Sequence, residues 1–192
     1  MRLITGIKKL FYFFIGQLFV IFLYKRKYIN GRYFEGKFKG VFAQGWEWLF
    51  FDSLSRLFQN TNKTVPWPVS GKVTVVNPAN IIFDLDDLHI FHTFGTYFQA
   101  INAKIYIGKG SWIAPNVGLI TTNHDFHDLN KHLQGQDIIV GKNNWIGMNS
   151  IILPGVVLGD NTIVGAGSIV TKSFKEGNCV IAGNPAKKIK EI

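Results

Sequence analysis

From residue 101 onward an aliphatic side chain returns at every sixth position: Ile101, Ile107, Ile113 and Leu119, then Val140, Ile146, Ile152, Leu158, Val164 and Val170. The next residue is glycine or alanine in six of these ten units (Gly108, Ala114, Gly141, Gly147, Gly159 and Gly165). The fifth position is often small, as at Ser111, Ser150, Thr162 and Ser168. No heptad or 3.6-residue period fits the stretch, so a helix is excluded. A strand of two or three residues and a tight corner, repeated three times, closes a triangular coil of about eighteen residues. Aliphatic side chains then stack inside, and small residues let the corners of successive coils approach. Fainter units ("VTVVNP", "IIFDLD", "LHIFHT") set the first coil near residue 73, so that residues 73–186 supply about six coils.

The period breaks at "LITTNHDFHD" (119–128) and resumes at Val140, twenty-one residues after Leu119. That is about three residues more than one coil, and a segment between roughly Asp125 and Ile138 is expected to protrude. It is dense in side chains that move protons or bind metals: His124, His127 and His132 with Asp125 and Asp128. "FDLDDLH" (83–89) carries Asp84, Asp86 and Asp87 near an early coil, where exposed corner charges are the simpler reading. "GKG" (108–110) is too short for a nucleotide loop and falls on a repeat corner.

Charge divides the chain unevenly. Residues 1–40 carry nine basic side chains against Glu35 alone, whereas residues 41–192 carry twelve basic and eleven acidic ones. A basic face spread over the whole fold would suggest nucleic acid, which is not expected here. A basic end beside apolar sequence points to anionic lipid. "LFYFFIGQLFVIFL" (10–23) lies between Lys8-Lys9 and Lys25-Arg26-Lys27. As a helix it rises about 21 Å, short of a hydrocarbon core of about 30 Å. "YKRK" is no signal-peptide cleavage site. The segment reads as a helix embedded in, or re-entering, the cytoplasmic face of a membrane; an ordinary core or oligomer-contact helix is the alternative.

"GWEWLFFDSLSRLF" (45–58) places Trp46, Leu49, Phe50, Leu54, Leu57 and Phe58 mostly on one helical face. It suits either a second interfacial element or a lid on the following domain. The expected organisation is a helical membrane-associating segment (1–60, with the membrane met through residues 1–58), a linker (61–72) holding Pro66 and Pro68, the coil domain (73–186) and a basic tail (187–192). Cys179 is the only cysteine and reads as a small buried hydrophobe of a cytosolic chain.

The stretch "IGKGSWIAPNV…NHD…WIGMNSIILPGVVLGDNTIVGAGSIVTK…GNPAKKI" resembles the hexapeptide-repeat acyltransferases, nearest to galactoside, maltose and surface-polysaccharide O-acetyltransferases. The likeness covers roughly residues 95–190. It implies an all-β fold, a left-handed parallel β-helix of hexapeptide repeats, although crossover connections are usually right-handed. It also implies a homotrimer with active sites between subunits, and acetyl-CoA as acyl donor.

The same likeness implies the site. His124 takes the place of the histidine that deprotonates the acceptor hydroxyl, with Asp125 considered as its partner and Gln99 and Asn123 as acceptor-binding or histidine-supporting residues. An ordinary imidazole, with a pKa near 6.5, contributes roughly 10²–10⁴ in rate as such a base. Trp145 would flank the pantetheine arm, and an N–H near Gly147 or Met148 would face the developing oxyanion. Ala166 and Gly167 would let the cofactor lie along a corner, with Thr171 and Lys172 following and Lys172 placed for phosphate. Asn184 and Pro185 would turn the chain so that Lys187 and Lys188 meet the phosphates of coenzyme A. The His127–His132 spacing also suits zinc, as in carbonic anhydrases of similar fold, but the "GNPAKKI" ending argues against it and no metal is expected.

The function expected is transfer of acetyl to a sugar hydroxyl, in a surface polysaccharide or its lipid-linked precursor, by direct attack without an acyl-enzyme. The alternatives are a small soluble acceptor (a free sugar, serine or an antibiotic), zinc hydration chemistry and a non-enzymatic trimeric scaffold.

Overall fold

The computed structural model describes residues 2–192, with the side chains described from Ile4 onward. The chain forms two compact units, one ending at Gly71 and one beginning at Lys72.

The first unit is built on α1 (Arg2–Leu23) and α2 (Gln44–Phe58), which pack side by side and run parallel. The Phe13 and Trp46 rings meet edge to face at 5.0 Å, Tyr12 lies 5.1 Å from Phe50, and further along the Tyr24 hydroxyl sits 3.2 Å from that of Ser53. Gly16 permits this approach, since a Cβ there would lie 2.9 Å from the Trp46 ring. Arg56 is buried and donates to the carbonyls of Leu23 and Val65 at 2.5 and 2.7 Å, closing the C-terminal end of α1.

Three expectations change here. The first helix starts at Arg2, not near Leu10, and its 22 residues rise about 33 Å, so length alone does not keep it from crossing a bilayer. In α2, Asp52, Ser53 and Arg56 are buried with Trp46 and Leu49, whereas Leu57 and Phe58 are exposed, because the buried face follows polar partners that a hydrophobic count ignores. Residues 61–72, expected as a linker, are packed: Val65, Trp67 and Val69 are buried.

The second unit is a three-sided parallel β-helix. Its strands are β1 (Thr74–Val76), β2 (Ile81–Ile82), β3 (Tyr97–Gln99), β4 (Ile105–Ile107), β5 (Trp112–Ile113), β6 (Gly118–Ile120), β7 (Ile138–Val140), β8 (Trp145–Ile146), β9 (Ile151–Ile152), β10 (Val157–Leu158), β11 (Thr162–Val164), β12 (Ile169–Val170), β13 (Cys179–Gly183) and β14 (Ala186–Glu191). They form three sheets, ordered β1-β3-β6-β9-β12, β2-β4-β7-β10 and β5-β8-β11-β13-β14.

Register explains the ladder. Ile107, Val140 and Leu158 align down one face, Leu119, Ile152 and Val170 down the second, and Ile113, Ile146, Val164 and Ile181 down the third. These ten are buried, and this column of aliphatic side chains is the core; Ile101, the first residue of the expected ladder, instead lies in a bend outside the strands and is only half-buried, while Ile181 extends the third face. The small fifth positions stitch coils together: the buried Ser150 hydroxyl donates to the Gly165 carbonyl at 3.0 Å and accepts from the Ser168 N–H. Gly147 is required by stacking, because a Cβ would stand 2.6 Å from the Val164 carbonyl oxygen. Several corners turn through left-handed asparagines, among them Asn116, Asn143, Asn149 and Asn161, of which Asn116 and Asn149 are joined side chain to side chain at 3.0 Å.

Ile107 and Val140 are paired neighbours 33 positions apart, against 18 for Val140 and Leu158. The insertion is therefore fifteen residues, not three, because Val140 opens the face directly after Leu119 rather than completing a further coil. Residues 187–192, expected as a tail, run with Ala186 as β14, antiparallel to β13, as far as Glu191. Asp87 is buried and accepts from the Gly110 N–H at 2.6 Å, so this acid is a fastening rather than an exposed corner charge; Asp84 and Asp86 pair with Lys109.

Candidate active site

The inserted segment is a folded-back loop. Its two arms are joined by the Leu133 N–H to the Asn123 carbonyl at 2.8 Å, the Asp125 N–H to the Lys131 carbonyl at 2.9 Å, and the Thr122 hydroxyl to the Leu133 carbonyl at 2.7 Å. Its base is fixed by Gln99, whose nearly buried side-chain oxygen accepts from the N–H groups of Thr121 and Thr122 at 3.2 and 3.3 Å. Gln99 thus braces the backbone leading into His124 and is committed there, not to the ring. The Asn123 side chain is exposed, and its carbonyl holds the loop.

His124 is exposed, and its Nδ1 lies 2.7 Å from the Leu129 carbonyl oxygen. A carbonyl only accepts, so Nδ1 carries the proton and the neutral ring presents its lone pair at Nε2. The expected partner Asp125 is otherwise engaged: its carboxylate accepts from the His127 N–H at 2.8 Å in a local turn. The loop places a backbone carbonyl, not a carboxylate, behind the imidazole. His132, read from sequence as an ordinary loop residue, stacks against His124 with ring centroids 4.3 Å apart. The signal is present as two histidines eight apart in one insertion, but only the fold-back of the loop brings them together.

On another face, Trp145 of β8 is in register with Trp112 of β5, and both indoles are more than half exposed. Trp112 does not stand out from sequence, although "SWIAP" and "NWIGM" repeat the same two-residue pattern. The His89 ring lies 4.1 Å from Trp112. The Gly147 N–H donates to the Val164 carbonyl at 2.8 Å, which removes it as an oxyanion donor and leaves Met148 of the two.

Residues 137–172 match the bacterial transferase hexapeptide family, six repeats. This part of the chain resembles the hexapeptide-repeat transferases. Galactoside O-acetyltransferase of Escherichia coli K12 is 42% identical over 112 residues, 55% of each chain. A protein of the same strain, named as a candidate colanic acid biosynthesis acetyltransferase, is 38% identical over 88 residues, 46% of this chain and 48% of its own. A hexapeptide-repeat acetyltransferase of Vibrio cholerae O1 biovar eltor, solved with acetyl coenzyme A, superposes with a TM-score of 0.50 at 25% identity, covering 62% of this chain and 68% of that one. The chain spans about half the length of the curated relatives it matches.

Elsewhere in the hexapeptide domain, Ala166 and Gly167 sit exposed at a corner, and Gly167 has φ +71° with open space where a Cβ would stand. The Gly167 N–H donates to the Met148 carbonyl at 2.8 Å. Thr171 and Lys172 are exposed, with the Lys172 ammonium 5.8 Å from the centre of the Phe174 ring. Asn184 and Pro185 make the exposed turn between β13 and β14. Lys187 is exposed, whereas the Lys188 ammonium meets the Glu191 carboxylate at 2.6 Å, a bond that raises its pKa above the ordinary lysine value. Among the described residues no three His, Cys, Asp or Glu side chains converge as a metal site.

Proposed function

We propose that the hexapeptide domain transfers acetyl from acetyl-CoA to a sugar hydroxyl, with His124 as general base. The hydroxyl oxygen attacks the thioester carbon as its proton passes to Nε2. The tetrahedral intermediate collapses with loss of the coenzyme A thiolate, which recovers the proton from the imidazolium. Nδ1–H stays on the Leu129 carbonyl throughout, which keeps Nε2 aimed at the hydroxyl. That single bond is the observation that carries the proposal. The Met148 N–H would serve the oxyanion, a contribution of about 2.7–4 kcal/mol for a well-placed donor.

The donor would run past Trp145 and the open corner at Ala166 and Gly167. Lys172 and Lys187 would face its phosphates, with Thr171, Asn184 and Pro185 shaping the groove. The bound acetyl coenzyme A of the Vibrio cholerae structure supports this choice of donor. Its likeness also supports a left-handed winding of the coil. The flat faces of a β-helix favour a homotrimer whose sites lie between subunits.

The favoured acceptor is a sugar of a surface glycan or its lipid-linked precursor, at the cytoplasmic face of the membrane. The colanic acid relative and the apolar N-terminal helix support it. A second reading, a free galactoside-like sugar, is favoured by the likeness to galactoside O-acetyltransferase. Radiolabelled acetyl-CoA offered with simple sugars and with lipid-linked glycans decides: label on the glycan supports the first reading, label on the simple sugars alone the second. Label on no hydroxyl acceptor contradicts both.

A further inference from the structure

One side of α1 is occupied and the other is bare. Gly16, Phe13 and Tyr12 face α2, while Ile4, Ile7, Phe11, Phe14, Leu18 and Ile21 are each about half to two-thirds exposed, Phe11 at the edge where its ring also meets Phe50 at 5.4 Å. Their spacing of three, four, three, four and three residues makes one straight stripe down the helix. At 100° per residue no polar side chain interrupts it, since Lys8 and Gln17 fall at its margins. A continuous apolar band of this length exceeds what a water-facing monomer ordinarily leaves open.

Charge selects the occupant. With nine basic residues and one acid in residues 1–40, two copies of this surface would repel each other, whereas an anionic lipid surface would attract it. Where the stripe ends, Phe22, Tyr24, Lys25, Lys63, Thr64 and Pro66 line an open cleft of about 250 Å³. It joins an apolar wall to two ammonium groups, the chemistry that receives a lipid phosphate whose acyl chains lie along the helix.

Packing selects the orientation. If α1 crossed the bilayer it would draw the parallel α2 into hydrocarbon, with Glu47, Asp52 and Arg56. The connecting segment would follow, since the Lys9 ammonium is bonded to its Phe42 carbonyl at 3.3 Å, and its non-helical backbone would lose water.

We propose that the first unit lies in the plane of one leaflet of an anionic bilayer, its Ile4–Ile21 stripe among acyl chains and a lipid phosphate in the Lys25–Lys63 cleft. This rests on the membrane-surface reading above and adds its geometry and its lipid partner.

The test is flotation of the full chain with vesicles of phosphatidylcholine alone or mixed with phosphatidylglycerol. Co-flotation that is stronger with the anionic lipid is expected. Lys25→Gln with Lys63→Gln should weaken only the anionic component, by roughly fivefold for each lysine. Leu18→Asp should abolish flotation in both, with its far-UV spectrum and thermal midpoint unchanged because the site is exposed. Spin labels at Ile4→Cys and Ile21→Cys should report the same shallow depth. Absence of flotation, indifference to the lysine changes, or depths differing by the length of the helix would each overturn the proposal. Acetyl transfer to a soluble sugar without vesicles reports separately on the hexapeptide domain, so the two readings can fail independently.

Discussion

The imidazoles of His132 and His124 stack at 4.3 Å between centroids and 35° between planes, from opposite arms of the inserted loop. The stack closes one side of the His124 ring while the Leu129 carbonyl holds its Nδ1. If His124 is the base proposed above, a ring fixed in both rotation and tilt loses little entropy on reaching its hydroxyl.

On the proposed mechanism His132 acts as a positioning residue. His132→Ala should lower turnover roughly two- to tenfold, the worth of an aromatic pair of about 0.5–1.5 kcal/mol. His132→Phe should restore most of it, because a flat ring suffices. Steady-state kinetics on the two variants check this, and equal losses in both would remove the stacking role.

Gln99 braces the backbone that leads into the proposed base. Gln99→Leu keeps the volume but strips the side-chain acceptor from the Thr122 N–H, while the Thr121 N–H keeps the Gln99 main-chain carbonyl at 3.1 Å. Leaving that one buried donor unsatisfied costs about 1–3 kcal/mol, so the thermal midpoint should fall, and turnover should fall with it. The KM for acetyl-CoA should stay, since the proposed donor groove lies on other residues.

Trp145 is exposed and its removal spares the fold. Trp145→Ala should raise the KM for acetyl-CoA roughly tenfold, the scale of truncating an aromatic anchor at a binding surface. Thermal stabilisation by coenzyme A should shrink in parallel. An unchanged KM would move the donor away from this face.

The first unit carries a pH signature. Burial raises the Tyr24 phenol to about 12, against the lesser pull of Ser53 and Arg56. The unfolded phenol ionises near 10, so the unfolded state sheds its proton first. Stability is intact below pH 10 and declines between pH 10 and 12, by about 2–3 kcal/mol in all. Alkaline titration followed by far-UV circular dichroism should show this decline, and Tyr24→Phe should flatten it.

Much of the fold is legible in the sequence because each coil repeats one demand, an aliphatic side chain pointing inward every sixth residue. Ile107, Val140 and Leu158 stack as that demand requires. The asparagine corners are equally periodic, yet Asn116 and Asn149 escape a reading that looks to glycine for left-handed backbone. The length of the insertion escapes for a different reason: period counts residues but not faces. In the candidate site the place of His124 at the break is legible, while its contacts with Leu129 and His132 are not, because they arise only when the loop folds back. In α2, hydrophobic spacing points outward residues inward, since the buried Arg56 binds carbonyls that no side-chain pattern displays.

The most direct measurement is turnover of His124→Ala at saturating acetyl-CoA and acceptor, alongside its thermal stabilisation by coenzyme A. Loss of the base should lower turnover by roughly 10²–10⁴ while donor binding is retained. Turnover equal to that of the unaltered chain would contradict the assignment of His124 as the base.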